Sequence, residues 1–238
     1  MMRIATPKRL NPTRLVAFSS LLILIFITAM KYPNESDRSY TYLALGDSYT
    51  IGEQVPTRDN FPNQVTQLLN EKGISFQSPT IVAKTGWTTD ELLNGIDKAF
   101  IKGHYDFVSL LIGVNNQYRG WSKEKYSAGF ESLLKQAIGF ANNEASHVIV
   151  LSIPDWGITP FAEGRNRIQI GKEIDDFNAI NRQIAERLQV HYIDITPGTR
   201  KAADDASLLA ADGLHPSGKE YFIWAQQVTD TIQNLLGH

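Results

Sequence analysis

The chain contains no cysteine. That removes a thiol nucleophile, structural disulfides, a zinc–thiolate centre and an N-terminal lipidated cysteine, and it leaves the redox compartment open. Positive charge is scarce beyond the start of the chain: Arg3, Lys8, Arg9, Arg14 and Lys31 all precede the first acidic residue, Glu35. The other 18 of the 23 basic residues face 25 acidic ones, so the body carries about −7. No basic stripe runs through it, which argues against nucleic acid as a ligand, because phosphate binding needs clustered Lys and Arg. His104, His147, His191 and His238 show no ligand spacing with one another, which argues against a metal centre. Low-complexity tracts and internal repeats are lacking too, and a hydrophobic content of 42% with 20% charged residues fits one ordinary globular domain.

Long apolar runs are equally rare, with one exception. Leu15 to Met30 is almost unbroken and follows a basic stretch. Its sixteen residues sit between a signal-peptide core of roughly 7–15 and a spanning helix of about 17–25. Residues 1–31 are therefore expected to be an export signal or a membrane anchor, 32–39 a polar linker and 40–238 a single domain outside the cytoplasm. Cleaved and anchored forms both stay open, and any membrane contact is expected through this segment.

From Tyr40 onward, short β-rich apolar runs alternate with stretches of helical period, the signature of βαβ units and a parallel sheet. Strands are expected at Tyr42 to Leu45, Ile81 to Ala83, Phe107 to Ile112, His147 to Ile153 and Val190 to Ile193. Helices are expected over Phe61 to Lys72, Thr89 to Ile101, Lys123 to Asn142, Ile168 to Leu188 and Gly218 to Leu236. The fold class is thus α/β: a three-layer α/β/α sandwich around a central, mostly parallel five-stranded sheet. In such sheets ligands bind beyond the carboxyl ends of the strands. Gly46-Asp47-Ser48, Thr85-Gly86-Trp87, Gly113-Val114-Asn115-Asn116, Pro154-Asp155-Trp156-Gly157 and Asp212-Gly213-Leu214-His215 all follow strands and so fall on that one edge.

These clusters contain the parts of an acyl-transfer site. A serine hydroxyl is a poor nucleophile until a base takes its proton, and that base needs a carboxylate to fix its tautomer and stabilise its cation. Ser48, His215 and Asp212 suit the three roles, and the Asp-x-x-His spacing lets a turn bring carboxylate to imidazole. Donors for an oxyanion are available from the Ser48 and Gly86 backbone and the Asn115 amide. Each piece alone has an ordinary explanation: a turn for Gly-Asp-Ser and for Gly86, a helix cap for Asn115, a helix start for Gly-Leu-His-Pro.

Taken in order, the four blocks resemble the SGNH hydrolases, also called GDSL esterases and lipases. Gly46-Asp47-Ser48 is similar to the family's nucleophile block, Gly86 to its oxyanion glycine, Gly113-Val114-Asn115 to its Gly-x-Asn block, and Asp212 to His215 to its Asp-x-x-His block. The resemblance spans roughly Leu43 to Trp224. It implies Ser48, Asp212 and His215 as the catalytic triad, Ser48, Gly86 and Asn115 as the oxyanion hole, no cofactor and no metal, with Asp47 structural. Tyr49 and Asn116 depart from the commoner pattern at positions that carry no catalytic role.

The expected activity is hydrolysis of carboxylic esters through an acyl-enzyme on Ser48, with lipid, lysophospholipid or acetylated-sugar esters as candidate substrates. Two alternatives share the fold: an acyltransferase or polysaccharide O-deacetylase using the same site, and a non-catalytic carbohydrate- or lipid-binding protein. Among the other residues, the loop Asp155 to Phe161 is expected either to line the pocket or to fold back on the core. Asn116 to Arg119 is expected as a solvated loop, with contact to an acidic or sugar-bearing substrate as the alternative, Trp121 and Trp224 as packing, and Asp175 and Asp176 as surface. Oligomeric state leaves no mark in the sequence.

Overall fold

A computed structural model of the protein describes residues 38–237. The apolar run Leu15–Met30 and most of the linker lie outside the described residues. Among the described residues, no helix is long and apolar enough to cross a membrane.

Five strands form one sheet: β1 Tyr42–Gly46, β2 Thr80–Ala83, β3 Phe107–Leu111, β4 Val148–Leu151 and β5 His191–Ile193. All four pairings are parallel, in the spatial order β2-β1-β3-β4-β5. Every residue of β1, β3 and β4 is buried, whereas the edge strands β2 and β5 are partly open. This is why the three central strands read as continuous apolar runs: helices cover both of their faces. On one side α2 (Phe61–Glu71) packs against α8 (Gly218–Leu236); on the other, α5 (Lys123–Phe140) packs against both α3 (Thr89–Ala99) and α6 (Arg167–Arg187).

The long helices start where side chains satisfy their free amides. The Asn60 side chain accepts from Asn63 N at 3.0 Å, and Asn166 accepts from Gln169 N at 3.1 Å. α3 carries a full capping box between Thr88 and Glu91. Helix ends fall one or two residues short of the sequence reading because Phe100 and Asn142 adopt left-handed backbone with φ of 47° and 57°. β4 begins after His147, which belongs to a 3-10 turn, and it ends before Ser152. Beyond it, Ile153 N donates to Asn178 Oδ1 at 2.7 Å instead of continuing the ladder.

The chain lays β2 on one side of β1 and then crosses to place β3 on the other, so the carboxyl ends of β1 and β3 flank the point where the strand order reverses. Helices leave those two ends in opposite directions and open a crevice between them. Short helices sit at these strand ends: α1 Ser48–Ile51 after β1, α4 Val114–Tyr118 after β3 and α7 Thr196–Thr199 after β5. None of the three is evident from periodicity, since each spans only about one turn.

Candidate active site

Ser48 is the first residue of α1, immediately beyond the end of β1. As the first helical residue its N–H has no acceptor within the helix. The turn is set by Asp47, whose buried carboxylate accepts from Tyr49 N at 3.0 Å. Gly46 precedes it because any Cβ there would strike the Thr50 side chain and the Leu111 carbonyl. The expectation that Asp47 is structural agrees with this capping role.

The loop after β2 carries Gly86 at φ 81°, in a turn closed by Trp87 N donating to Lys84 O at 3.2 Å. After β3, Gly113 adopts φ 133°, where a Cβ would collide with the Tyr126 hydroxyl. α4 then places Asn115, whose Nδ2 donates to Trp87 O at 3.0 Å and, at a long 3.4 Å, to Asp47 Oδ2. Asn115 is therefore not a helix cap; its amide links the β1, β2 and β3 loops.

At the far end of the chain, Asp212 Oδ1 accepts from Leu214 N and His215 N, both at 3.0 Å, while Oδ2 meets His215 Nδ1 at 2.6 Å. The carboxylate thus forms the turn and orients the ring in one arrangement. Burial opposes ionisation of Asp212, but the imidazole and the two backbone N–H groups outweigh it and hold its pKa below the usual carboxylate value. Asp47 behaves in the opposite way. Complete burial pushes its pKa up to about 7, only partly offset by the Tyr49 and Asn115 donors.

Ser48, Gly86, Asn115 and His215 line one cavity of about 200 Å³, closed on its other side by Val114, Tyr118, Trp156, Phe161 and Leu214. Asp212 stands behind His215. All five residues singled out in the sequence are brought together. Among the described residues no hydrogen bond joins the Ser48 hydroxyl to the imidazole; such contacts commonly tighten only around a substrate.

The structure corrects the sequence reading of Asn116 to Arg119. Rather than a solvated loop, these residues lie in and just after α4, with Asn116 and Gln117 buried. Asn116 exchanges two hydrogen bonds with Thr89, through Thr89 N at 3.2 Å and Thr89 Oγ1 at 2.9 Å. Gln117 Oε1 accepts from the Trp156 indole at 2.8 Å. The loop after β4 does both things expected of it: Trp156 is buried, and Phe161 is exposed at the cavity mouth. Trp224 is fully buried, as expected of a packing residue, but Trp121 is only half-buried, with Lys125 Nζ stacked 3.3 Å from its ring centroid.

Arg119, read from the sequence as part of a solvated loop, stands out. Arg119 Nη2 donates to Gly86 O at 2.6 Å, while the same guanidinium pairs with Glu91 at 3.2 Å. Sequence alone gives no signal for this, since the two partners are some thirty residues away.

A doubly wound parallel sheet with a serine, an oriented imidazole and several amide donors at its switch point has the make-up of a serine ester hydrolase. Residues 44–221 match the sequence profile of the GDSL-like lipase/acylhydrolase family, and the chain belongs to that family. It is an ester hydrolase of this type. No curated protein sequence matches the chain.

Several solved structures share the fold. A psychrotrophic esterase, EstA, from Pseudoalteromonas sp. is 17% identical with a TM-score of 0.63, covering 84% of this chain and 100% of its own. The acetylxylan esterase Axe2 from Geobacillus stearothermophilus is 19% identical with a TM-score of 0.64, covering 84% and 96%. A lipase/acylhydrolase from Enterococcus faecalis is 20% identical with a TM-score of 0.63, covering 82% and 96%. At these identities the likeness is one of fold.

Proposed function

We propose that the protein hydrolyses short-chain carboxylic esters through an acyl-enzyme on Ser48. The observation that carries this reading is the His215 imidazole held by Asp212 at 2.6 Å in the same cavity as Ser48, Gly86 and Asn115. Ser48 Oγ attacks the ester carbonyl carbon and its proton passes to His215 Nε2, while Asp212 stabilises the resulting imidazolium through Nδ1. The carbonyl oxygen becomes an oxyanion facing Ser48 N–H, Gly86 N–H and Asn115 Nδ2. The long 3.4 Å contact to Asp47 is the weaker of the two Asn115 bonds, and its hydrogen is the one that turns to the oxyanion. Collapse of the intermediate expels the alcohol, which takes the proton from His215. A water deprotonated by the same ring then attacks the acyl carbon and releases the acid.

The cavity supports a short acyl group. At about 200 Å³ it is smaller than the roughly 300–1,000 Å³ of sites that enclose drug-sized ligands. Its aromatic side offers flat apolar faces to the acyl or alcohol portion, and acetylated sugars fit that description. The Leu15–Met30 run after a basic stretch supports export of the domain, either cleaved or anchored, which fractionation of cells expressing the full chain would test.

The decisive experiment is a panel of p-nitrophenyl esters from acetyl to palmitoyl, assayed with the native protein and Ser48→Ala. Acetyl and butyryl esters should be cleaved and Ser48→Ala should be inactive on both. Equal rates for the two proteins would refute the assignment of the nucleophile.

A further inference from the structure

The oxyanion donor at Gly86 poses a mechanical problem. Glycine has the largest backbone freedom of any residue, and this one lies in a partly exposed turn, yet a donor contributes to catalysis only if it is held in place before the charge develops. A Cβ on Gly86 would meet only Arg119 Nη2, at 3.7 Å, so it is the φ of 81° and not lack of room that calls for glycine.

The structure ties three successive residues of this turn to three different places. Thr85 Oγ1 donates to the Glu53 carboxylate, which belongs to the segment following the nucleophile helix α1. The Gly86 carbonyl accepts from Arg119 Nη2 at 2.6 Å, and the Trp87 carbonyl accepts from Asn115 Nδ2 at 3.0 Å. The Thr85–Gly86 peptide, which lines the cavity, is therefore bracketed by a tie on either side. Asn115 in α4 and Arg119 at its C-terminal cap stand four residues apart, Arg119 N donating to Asn115 O at 3.1 Å, so both ties come from the same face at the end of that helix.

Arg119 is itself anchored. Its Nη1 donates to Glu91 Oε1 at 3.2 Å, and Glu91 Oε2 accepts from Thr88 N at 2.9 Å as the capping box of α3. At Glu91 the Thr88 amide acts most strongly, and together with the guanidinium it outweighs the opposing effect of burial and lowers the pKa, so the carboxylate stays ionised and the pair persists at neutral pH. A planar guanidinium can bond a carbonyl and a carboxylate at once, which a lysine ammonium on a flexible stem does not reproduce.

We infer that Arg119 is a positioning residue, which together with Glu53 locks the Gly86 peptide so that its N–H is preorganised for the oxyanion. This rests on the acyl-transfer reading given above. Arg119 touches the glycine's carbonyl and α-carbon side, and it acts through the glycine instead of on the substrate.

The test compares Arg119→Met, Arg119→Lys and Glu53→Gln with the native protein on p-nitrophenyl acetate. Because deleting one oxyanion donor costs on the order of 10²–10³ in rate, loosening one should lower kcat by about 10- to 100-fold with KM changed less than about threefold. Arg119→Lys should lose less than Arg119→Met. Binding of an alkyl boronic acid, which forms a tetrahedral adduct on the serine, should weaken in parallel with the loss of kcat/KM. Arg119 is nearly half exposed, so methylguanidinium added to Arg119→Ala should restore part of kcat, which a merely structural role does not predict.

An Arg119→Met protein with native kcat, alongside an inactive Ser48→Ala, would overturn the positioning role and leave the acyl-transfer reading standing. A raised KM with unchanged kcat would also overturn it and make Arg119 a substrate contact. If Ser48→Ala were as active as the native protein, the acyl-transfer reading itself would fall. The ion pair lies at the surface, where such pairs contribute little to stability, so these variants should fold; circular dichroism confirms it before the kinetics are read.

Discussion

On one side of the cavity, Thr85, Gly86, Asn115 and His215 are held by directed bonds to Glu53, Arg119, Asp47 and Asp212, whereas the opposite side is made of rings that touch one another. Tyr118, Trp156 and Phe161 form a triangle with centroid separations of 5.4, 5.9 and 6.4 Å, and Arg165 lies 5.1–5.4 Å from all three. Hydrogen bonds fix direction, and they fix it to within tenths of an ångström; ring packing fixes volume and tolerates sliding. The polar side should therefore govern rate, and the aromatic side should govern which ester is accepted. Substitutions on the two sides ought to separate into effects on kcat and effects on KM.

The largest effects should come from the polar side. Ser48→Ala removes the proposed nucleophile and should lower kcat/KM by roughly 10⁴–10⁶, by analogy with serine enzymes in which the triad acts as a unit. Asp212→Asn should come next, on the order of 10²–10⁴ in kcat. The amide can still cap the turn, but it no longer stabilises the imidazolium and favours the wrong tautomer. Steady-state rates on p-nitrophenyl acetate check both. Were either loss found in KM alone, the division between the two sides would collapse.

Asp47→Asn sharpens the comparison from beneath the site. The amide oxygen can keep the Tyr49 cap, but an NH₂ would then face the Asn115 NH₂, donor against donor, and kcat should fall about tenfold through a displaced oxyanion donor. Stability should move the other way. Burial raises the pKa of folded Asp47 to about 7, well above that of an exposed aspartate at roughly 3.9, so between those values the folded state binds more protons than the unfolded one. Its contribution is most favourable below about pH 4 and declines as pH rises towards 7, then levels off. Urea unfolding at several pH values should show that slope in the native protein and a flatter profile in Asp47→Asn. An unchanged slope would show that Asp47 is not the group responsible.

The same contrast explains what the sequence disclosed. Central strands buried on both faces leave continuous apolar runs, so β1, β3 and β4 were legible to within one or two residues, and long amphipathic helices such as α8 were legible at both ends. Ser48, Gly86, Asn115, Asp212 and His215 could be singled out because each sits in a short local pattern that follows a strand. Arg119 could not, because its meaning depends on Gly86 and Glu91 across the turn. Asn116 looked like a loop residue for the same reason: its two bonds go to Thr89, 27 positions earlier in the chain. Local patterns report what a residue can do, and long-range pairing decides which of those things it does.

The smallest expected effect, and the one most able to break the comparison, concerns Phe161. Its ring is 42% exposed, while its backbone N–H donates to Gly213 O at 3.2 Å, inside the turn between Asp212 and His215. A half-exposed ring contributes about 1 kcal/mol to binding an apolar group, so Phe161→Ala should raise KM for acetyl and butyryl esters only a few-fold. The backbone bond to Gly213 is retained, which should keep kcat within about twofold. Removing the ring enlarges a cavity of about 200 Å³, so relative activity on hexanoyl and octanoyl esters should rise. That shift is the mark of a wall that selects by volume. If kcat instead fell equally for every chain length, Phe161 would be acting through the Asp212–His215 turn, and the aromatic side would belong to the machinery that sets rate.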